Sequence, residues 1–367
     1  MLLALILATS ACEAQPAAPR AEGSAQVVRI DEMAVSRAAH QATRLPSGKV
    51  LVTGGCAGQC DVSLDEVEVF DPASGGFQSL PPMAEPRNSH AAVALEDGRV
   101  LVAGGWSGRE VTASVELFDE ASGRFNSIAG MTQARAVPKA VRLVDGRVLV
   151  TGGQTADMVP LDSAEIIDPA TGRSMAIASM GSPRLAHAAV ALGDGRVLIT
   201  GGIRSRRGEV LRSAEIFDPA TGRFEPTGDM AFPRQKHAAV RLGDGRVMIL
   251  GGTDSGPRSG RYRSTELYDP ATGRFSTGPD MLSQRYKLPD GALLLPSGDV
   301  LVVAGAPQVE RFDSGTGRFV ALTGELDGPH EFATATLLDN GEVLVLGGYD
   351  EQIETSSSAW RVRTSAY

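Results

Sequence analysis

"SPRLAHAAVALGDGRVLITGG", Ser182 to Gly202, decides how the whole chain is read. Arg184 and His187 stand three residues apart, ahead of an apolar run, an Asp-Gly pair, a second apolar run and a Gly-Gly pair. Alone, that Arg and His could form a proton shuttle beside an anion clamp. They do not stand alone. The second Gly recurs as Gly55, Gly105, Gly153, Gly202, Gly252, Gly305 and Gly348, at spacings of 50, 48, 49, 50, 53 and 43 residues. In the sixth copy Ala304 replaces the first Gly. Before each pair lies the same segment, as in "RLPSGKVLVTGG" and "ALEDGRVLVAGG". A polar residue and Gly between two apolar runs mark a hairpin, because such residues accept positive φ in a tight turn.

A second hairpin follows in each unit, as in "SAEIFDPATGRFEPTGDM". Each unit therefore holds four short strands in up-and-down order. Seven units of about 50 residues predict an all-β chain: a seven-bladed β-propeller of four-stranded antiparallel blades. The last unit ends after a third strand, "SSSAWRVR". The segment "QVVRIDEM" aligns with the fourth strands and ends on the same Met, so Gln26 to Ile30 is expected to complete the seventh blade. That closure removes open sheet edges.

The repeated order of Arg, His, a DG hairpin, Gly-Gly, Glu, an aromatic, Asp-Pro and a final aromatic resembles the kelch repeat. The resemblance covers Val27 to about Val362. The strand-four Trp usual in that family is Phe here, at Phe77, Phe125, Phe224, Phe275 and Phe319, with Met175 read at that position in the third unit. The strand-three aromatics are Phe70, Phe118, Phe217, Tyr268 and Phe312, with Ile167 in the third unit. These rings are expected to pack between blades.

The composition is that of an ordinary folded chain: 367 residues, 42% hydrophobic, 22% charged, with a formal charge of −9. The acidic balance argues against general nucleic-acid binding. Leu2 to Ala11 is too short to span a bilayer and has the length of a signal-peptide core. The small residues before Cys12 resemble a bacterial lipoprotein signal, which would make Cys12 the lipidated first residue. The missing basic residue and Thr9, where Leu is usual, depart from that pattern. Residues 1–22 are thus expected to form a leader and tether, and residues 23–367 one propeller, exported to the periplasm or cell surface. The membrane is expected to be met only through the lipid. Cys56 and Cys60, in "GGCAGQC", are then expected to close a small disulfide loop in an oxidising compartment.

His40, His90, His187 and His237 share one repeat position, so they read as structural, while His330 stands where the other units have Arg. The partners expected are Arg37 with Glu68, Arg87 with Glu116, Arg135 with Glu165, Arg184 with Glu215, Arg234 with Glu266 and Arg285 with Glu310. The seventh unit lacks both residues, with His330 and Trp360 in their places.

No catalytic residue, metal site or cofactor is expected, since phosphate-loop, Ser-His-Asp and metal motifs are not visible. The resemblance extends to the central domain of galactose oxidase, whose copper site implies a Tyr, His and Tyr–Cys set that this sequence does not match. In kelch propellers the strand 2–3 loops share a face with the inter-blade loops, and that face usually takes ligands. Here those loops hold Arg204, Arg206, Arg207, Arg212, Arg258, Arg261 and Arg263, with Gln235, Lys236, Tyr286 and Lys287 beside them. The opposite sector offers Trp106, Asn88, Asp350 and Glu351. An Arg cluster with Tyr suits carboxylate, phosphate or sulfate groups. The reading is a non-enzymatic binding or scaffolding module, a monomer, for a protein or anionic glycan. The alternative is a small-sugar enzyme, since sialic-acid epimerases are also periplasmic kelch proteins.

Overall fold

The computed structural model describes residues 26–255 and 260–364. Cys12 and Arg258 lie outside them, as does the leader. The described residues form seven four-stranded antiparallel blades, with no helix long and apolar enough to cross a membrane. Blade 4 shows the pattern, with strands Ala188–Ala191, Val197–Thr200, Ala214–Asp218 and Arg223–Pro226. The Asp-Gly turn closes on itself, with the Leu192 N–H donating to the Arg196 carbonyl at 2.8 Å and the Asp194 carboxylate receiving the Arg196 N–H.

Burial follows strand position. The second strand, Val197–Thr200, is buried at all four residues, while the outer strand Arg223–Pro226 is mostly exposed. A second strand therefore reads as a continuous apolar run, because both of its faces meet neighbouring blades. The core lies between blades: Leu149 and Ile166 of blade 3 pack with Val197, Ile199 and Phe217 of blade 4. Each such side chain contributes roughly 1.5–3 kcal/mol on burial. Within a blade the two aromatic positions meet, as in Phe217 and Phe224 at 4.9 Å between ring centres.

The third blade corrects the reading of Met175. Ile167 pairs with Ser174, and Met175 pairs with Ile166. Ser174 therefore holds the strand-four aromatic position. One residue of slip puts Met175 on the opposite, exposed face.

Ring closure uses the N-terminal strand. Gln26–Arg29 runs antiparallel to Ala359–Arg363, with Val27 opposite Val362 and Arg29 opposite Trp360. The same strand meets the outer strand of blade 6, Gln26 facing Thr323. Seven strand sets of the same pattern then put every strand 2–3 loop and every inter-blade loop on one face.

The glycine pair serves the joint between blades. Gly202 has φ 94°, and its N–H donates to the Arg234 carbonyl of the next blade at 2.8 Å. A Cβ on Gly201 would lie 2.3 Å from that same carbonyl.

Candidate functional site

The segment from the repeat Arg position to the repeat His position lies at the channel mouth of every blade, with Arg-x-x-His itself in blades 1, 2, 4 and 5, and its four positions do different work. The Arg points into its own blade. Arg37 meets Glu68 at 2.7 Å, Arg87 meets Glu116 at 2.7 Å and Arg135 meets Glu165 at 2.9 Å. Arg184 meets Glu215 at 2.9 Å, Arg234 meets Glu266 at 3.1 Å and Arg285 meets Glu310 at 2.9 Å. All twelve side chains are buried. Burial pulls each Arg pKa down and the facing Glu pulls it back up, as at Arg184. The carboxylate also receives the N–H that follows the unit's Met, as from Gly181 to Glu215 at 2.7 Å. Arg184 in turn donates to the Gly201 carbonyl at 2.8 Å. Each pair thus ties an inter-blade loop, a Gly-Gly turn and a third strand together.

Blade 7 reaches the same end without the ion pair. His330 Nδ1 lies 2.8 Å from the Gly347 carbonyl, the contact Arg makes elsewhere. Its other ring nitrogen lies 2.5 Å from Asp327, and Trp360 packs edge-on against it at 4.5 Å.

The repeated His bridges two blades. His90 meets Thr53 at 2.9 Å, His187 meets Thr151 at 2.9 Å and His237 meets Thr200 at 2.8 Å. His40 meets Thr334 of blade 7 at 3.0 Å. Burial, then the neighbouring Arg, holds these imidazoles neutral, with His40 and His237 pushed down to about 3. Groups on four separate blades, each committed to a hydroxyl, do not assemble one acid–base centre.

Between Arg and His stand two residues that form the rim of the channel. The second has left-handed φ in all seven blades: Ala39, Ser89, Val137, Ala186, Lys236, Lys287 and Phe332, between 49° and 58°. That conformation is costly for residues other than Gly, above all for a β-branched Val. It turns the N–H toward the previous blade. Ser89 donates to Ala39, Val137 to Ser89 and Lys236 to Ala186, each at 2.9 Å, and Phe332 donates to Lys287 at 2.8 Å. A backbone belt around the mouth offsets the strain.

Side chains on this rim differ sharply by sector. Blades 1, 3 and 4 contribute small or apolar residues, and blade 2 contributes Asn88 and Ser89. Blades 5 to 7 contribute Gln235, Lys236, Tyr286, Lys287, Glu331 and Phe332. Lys287 Nζ lies 2.6 Å from Glu331 Oε2, and Arg261 lies 2.9 Å from Glu331 Oε1. Lys236 Nζ donates to the Tyr286 hydroxyl at 3.1 Å. Both lysines stand over the Tyr286 ring, at 5.3 and 5.2 Å, and Lys287 stands 4.7 Å from the Tyr349 ring. Burial, then Lys287, lowers Lys236 to about 8, and burial raises Tyr286 to about 12. Two cations thus hold one carboxylate, with the Lys236 amine beside them on Tyr286.

Below the rim lies a cavity of about 350 Å³. Val137, Pro138, Met158, Leu185, Ile203 and Phe332 supply apolar wall, and Lys236 and Gln154 supply polar wall. Gln154 is buried and its Oε1 has no hydrogen-bond partner among the described residues. Gln41, Lys139 and Asp290 also border the cavity, where Gln41 donates to Asp290 at 3.3 Å and Lys139 lies 3.8 Å from it.

The basic loop residues do not form one free cluster. Arg204 pairs with Glu209 at 3.0 Å, Arg212 with Asp229 at 3.2 Å and Arg263 with Asp280 at 3.1 Å. Arg206 and Arg207 are exposed beside Val159, Pro160 and Pro183. Gln235 donates to the Ser255 carbonyl at 3.3 Å. Trp106 exchanges backbone bonds with Asn88 on blade 2, and Asp350 receives N–H groups of its own loop. Cys56 and Cys60 are joined in a disulfide, and Cys56 packs with Ala38 and Tyr349. Sequence reasoning missed Glu331, Phe332, Tyr349 and Gln154. The first two are the rim positions of the seventh unit, legible once His330 is aligned with Arg.

The Kelch motif model matches residues 45–84, 135–181, 184–231 and 236–282. The chain carries Kelch motifs on a seven-bladed propeller. No curated protein matches in sequence. Among solved structures it is similar to a fungal alcohol oxidase of the AA5 family in complex with copper. The TM-score is 0.73 at 15% identity, over 94% of this chain and 76% of that one. That likeness lies in the fold. Among the described residues no group of three or more His, Cys, Asp or Glu is placed to hold a metal ion. The mouth sets Tyr286 and Tyr349 among Lys236, Lys287 and Arg261, and four of the five His are turned into inter-blade bonds. This donor set does not fit a copper centre.

Proposed function

We propose that the propeller is a binding module that holds an anionic partner, a glycan or a protein, on the face of the channel mouth. The observation that carries this reading is the charge of the rim, where Lys287 and Arg261 both contact Glu331 and Lys236 stands beside them over the Tyr286 ring. On a chain of charge −9 a local surplus of positive charge selects anions rather than serving solubility. Phe332, at the cavity wall, adds an apolar face against which part of a sugar ring or side chain can pack. Arg206 and Arg207, exposed beside Val159 and Pro160, add positive charge in a separate loop of blade 4. The N-terminal apolar run supports export, with Cys12 as a lipid anchor, and so a partner in the cell envelope.

Exchanging Arg206 and Arg207 for Glu in the soluble form, residues 23–367, should abolish binding to an anionic envelope polymer. Unchanged binding would return those residues to solvation alone. A second reading, a small-sugar enzyme of the epimerase type, draws support from the 350 Å³ cavity under the rim. Turnover of a small sugar by the purified chain would favour it.

A further inference from the structure

We propose that Lys236 is a carbonyl-reactive amine, which condenses with a small carbonyl compound bearing a carboxylate in the cavity beneath the channel mouth. The use of lysine across the chain points there. The sequence has 31 Arg and only four Lys: Lys49, Lys139, Lys236 and Lys287. Three of the four stand at the channel, where an amine differs from a guanidinium by being able to lose its proton. Lys49 pairs with Asp71 at 3.3 Å, Lys139 with Asp290 at 3.8 Å and Lys287 with Glu331 at 2.6 Å. Among the described residues no carboxylate lies within 4 Å of Lys236.

Its surroundings favour the neutral amine. Lys236 borders the cavity beside Ala186, Ile203 and Phe332, and Lys287 shares the Tyr286 and Phe332 faces with it. A lysine desolvated next to a second cation is the arrangement that makes an amine nucleophilic near neutral pH. The groups facing it are Lys287, Tyr286 and Glu331, with Arg261 and Tyr349 behind them and Lys139 and Asp290 at the cavity border. Burial and Lys287 bring it to about 8.

The step balances without any further reactant. The Lys236 amine adds to the carbonyl carbon, and the carbinolamine loses water to give the imine. The Tyr286 hydroxyl, 3.1 Å from Nζ, gives a proton to the departing hydroxyl and regains one from the nitrogen. Lys287 and Arg261, both in contact with Glu331, stand close to the amine, so a carboxylate on the ligand would meet positive charge there.

The test is reductive trapping. The soluble chain is incubated with glyoxylate and cyanoborohydride, and its lysine peptides are weighed. The expected adduct is on Lys236, about tenfold or more above Lys49, because burial and Lys287 make the Lys236 amine easier to deprotonate. Labelling of Lys236 should level off above about pH 8. Propanal, a carbonyl without the carboxylate, should label more slowly. Lys236→Arg should remove the adduct with an unchanged melting temperature, and Tyr286→Phe should slow it. Even labelling of the four lysines, or none on Lys236, would overturn the proposal. Equal rates for glyoxylate and propanal would overturn its carboxylate part. Binding of an anionic polymer does not require this reaction, so the two readings fail separately.

Discussion

His187 Nε2 lies 2.9 Å from Thr151 Oγ1, across the joint between blades 4 and 3. The bond sets what a repeat His is for. Where the His is replaced the hydroxyl goes too: Leu288 of blade 6 shares a core with Leu250 of blade 5. Thr151→Val should therefore cost about 1 kcal/mol, the net worth of a hydrogen bond. Urea unfolding of the variant beside the parent checks this, and an unchanged midpoint would show the bond to be idle.

The same histidines give the fold an acid limit. Their pKa values are lowered in the folded chain, to about 3 at His40 and His237. The unfolded chain then binds more protons below its ordinary His value of about 6.5. Stability is thus complete above that pH and falls as pH drops toward the folded value. Unfolding at pH 7.5 and pH 5 should show a lower midpoint at pH 5. His187→Leu with Thr151→Leu, copied from the sixth blade, should shrink that difference.

Glu215→Ala leaves the buried Arg184 guanidinium without its charge partner and frees the Gly181 N–H. Breaking a buried pair from one side costs about 3–5 kcal/mol. The variant should melt well below the parent. Adding Arg184→Met should recover part of the loss, because the stranded charge goes with it. A double variant no better than the single one would place the cost in the backbone contacts instead.

Deleting residues 24 to 32 removes the strand that pairs with Ala359–Arg363 and leaves blade 7 with an open edge. The shortened chain should lose its single cooperative transition. Melting like the full chain would show that the ring does not depend on this closure.

Replacing Cys56 and Cys60 with Ser opens a short loop that packs against Tyr349. Chain entropy assigns such a loop about 2 kcal/mol. Denaturation with and without reductant should reproduce that loss in the parent and show none in the variant.

The fold was legible because its signals repeat. One Gly pair or one polar-Gly turn says little, whereas seven copies of the whole motif in register define strand order, hairpins and the core. Even the closing strand could be read, since "QVVRIDEM" ends on the Met that ends the other fourth strands. Reading failed where a unit departs from its sisters. In the third blade the sequence offers Met175 at the aromatic position, whereas pairing with Ile167 gives that position to Ser174. The mouth was legible only in part. Lys236, Tyr286 and Lys287 stand on the rim, yet Arg204, Arg212 and Arg263 are engaged by Glu209, Asp229 and Asp280. Two of those partners precede the unit's Met, so their approach depends on how the outer strand returns to the mouth. The left-handed rim residues carry no signal at all, since Ala, Ser, Val, Lys and Phe all occupy the position.

The account's central claim is that the positive rim selects an anionic partner. The direct measurement is titration of the soluble chain with an anionic polysaccharide and its neutral counterpart, in low and high salt. The account predicts binding of the anionic form alone, weakened by salt and lost with Arg206→Glu and Arg207→Glu together. Equal binding of both polysaccharides, indifferent to salt and to those exchanges, would contradict it.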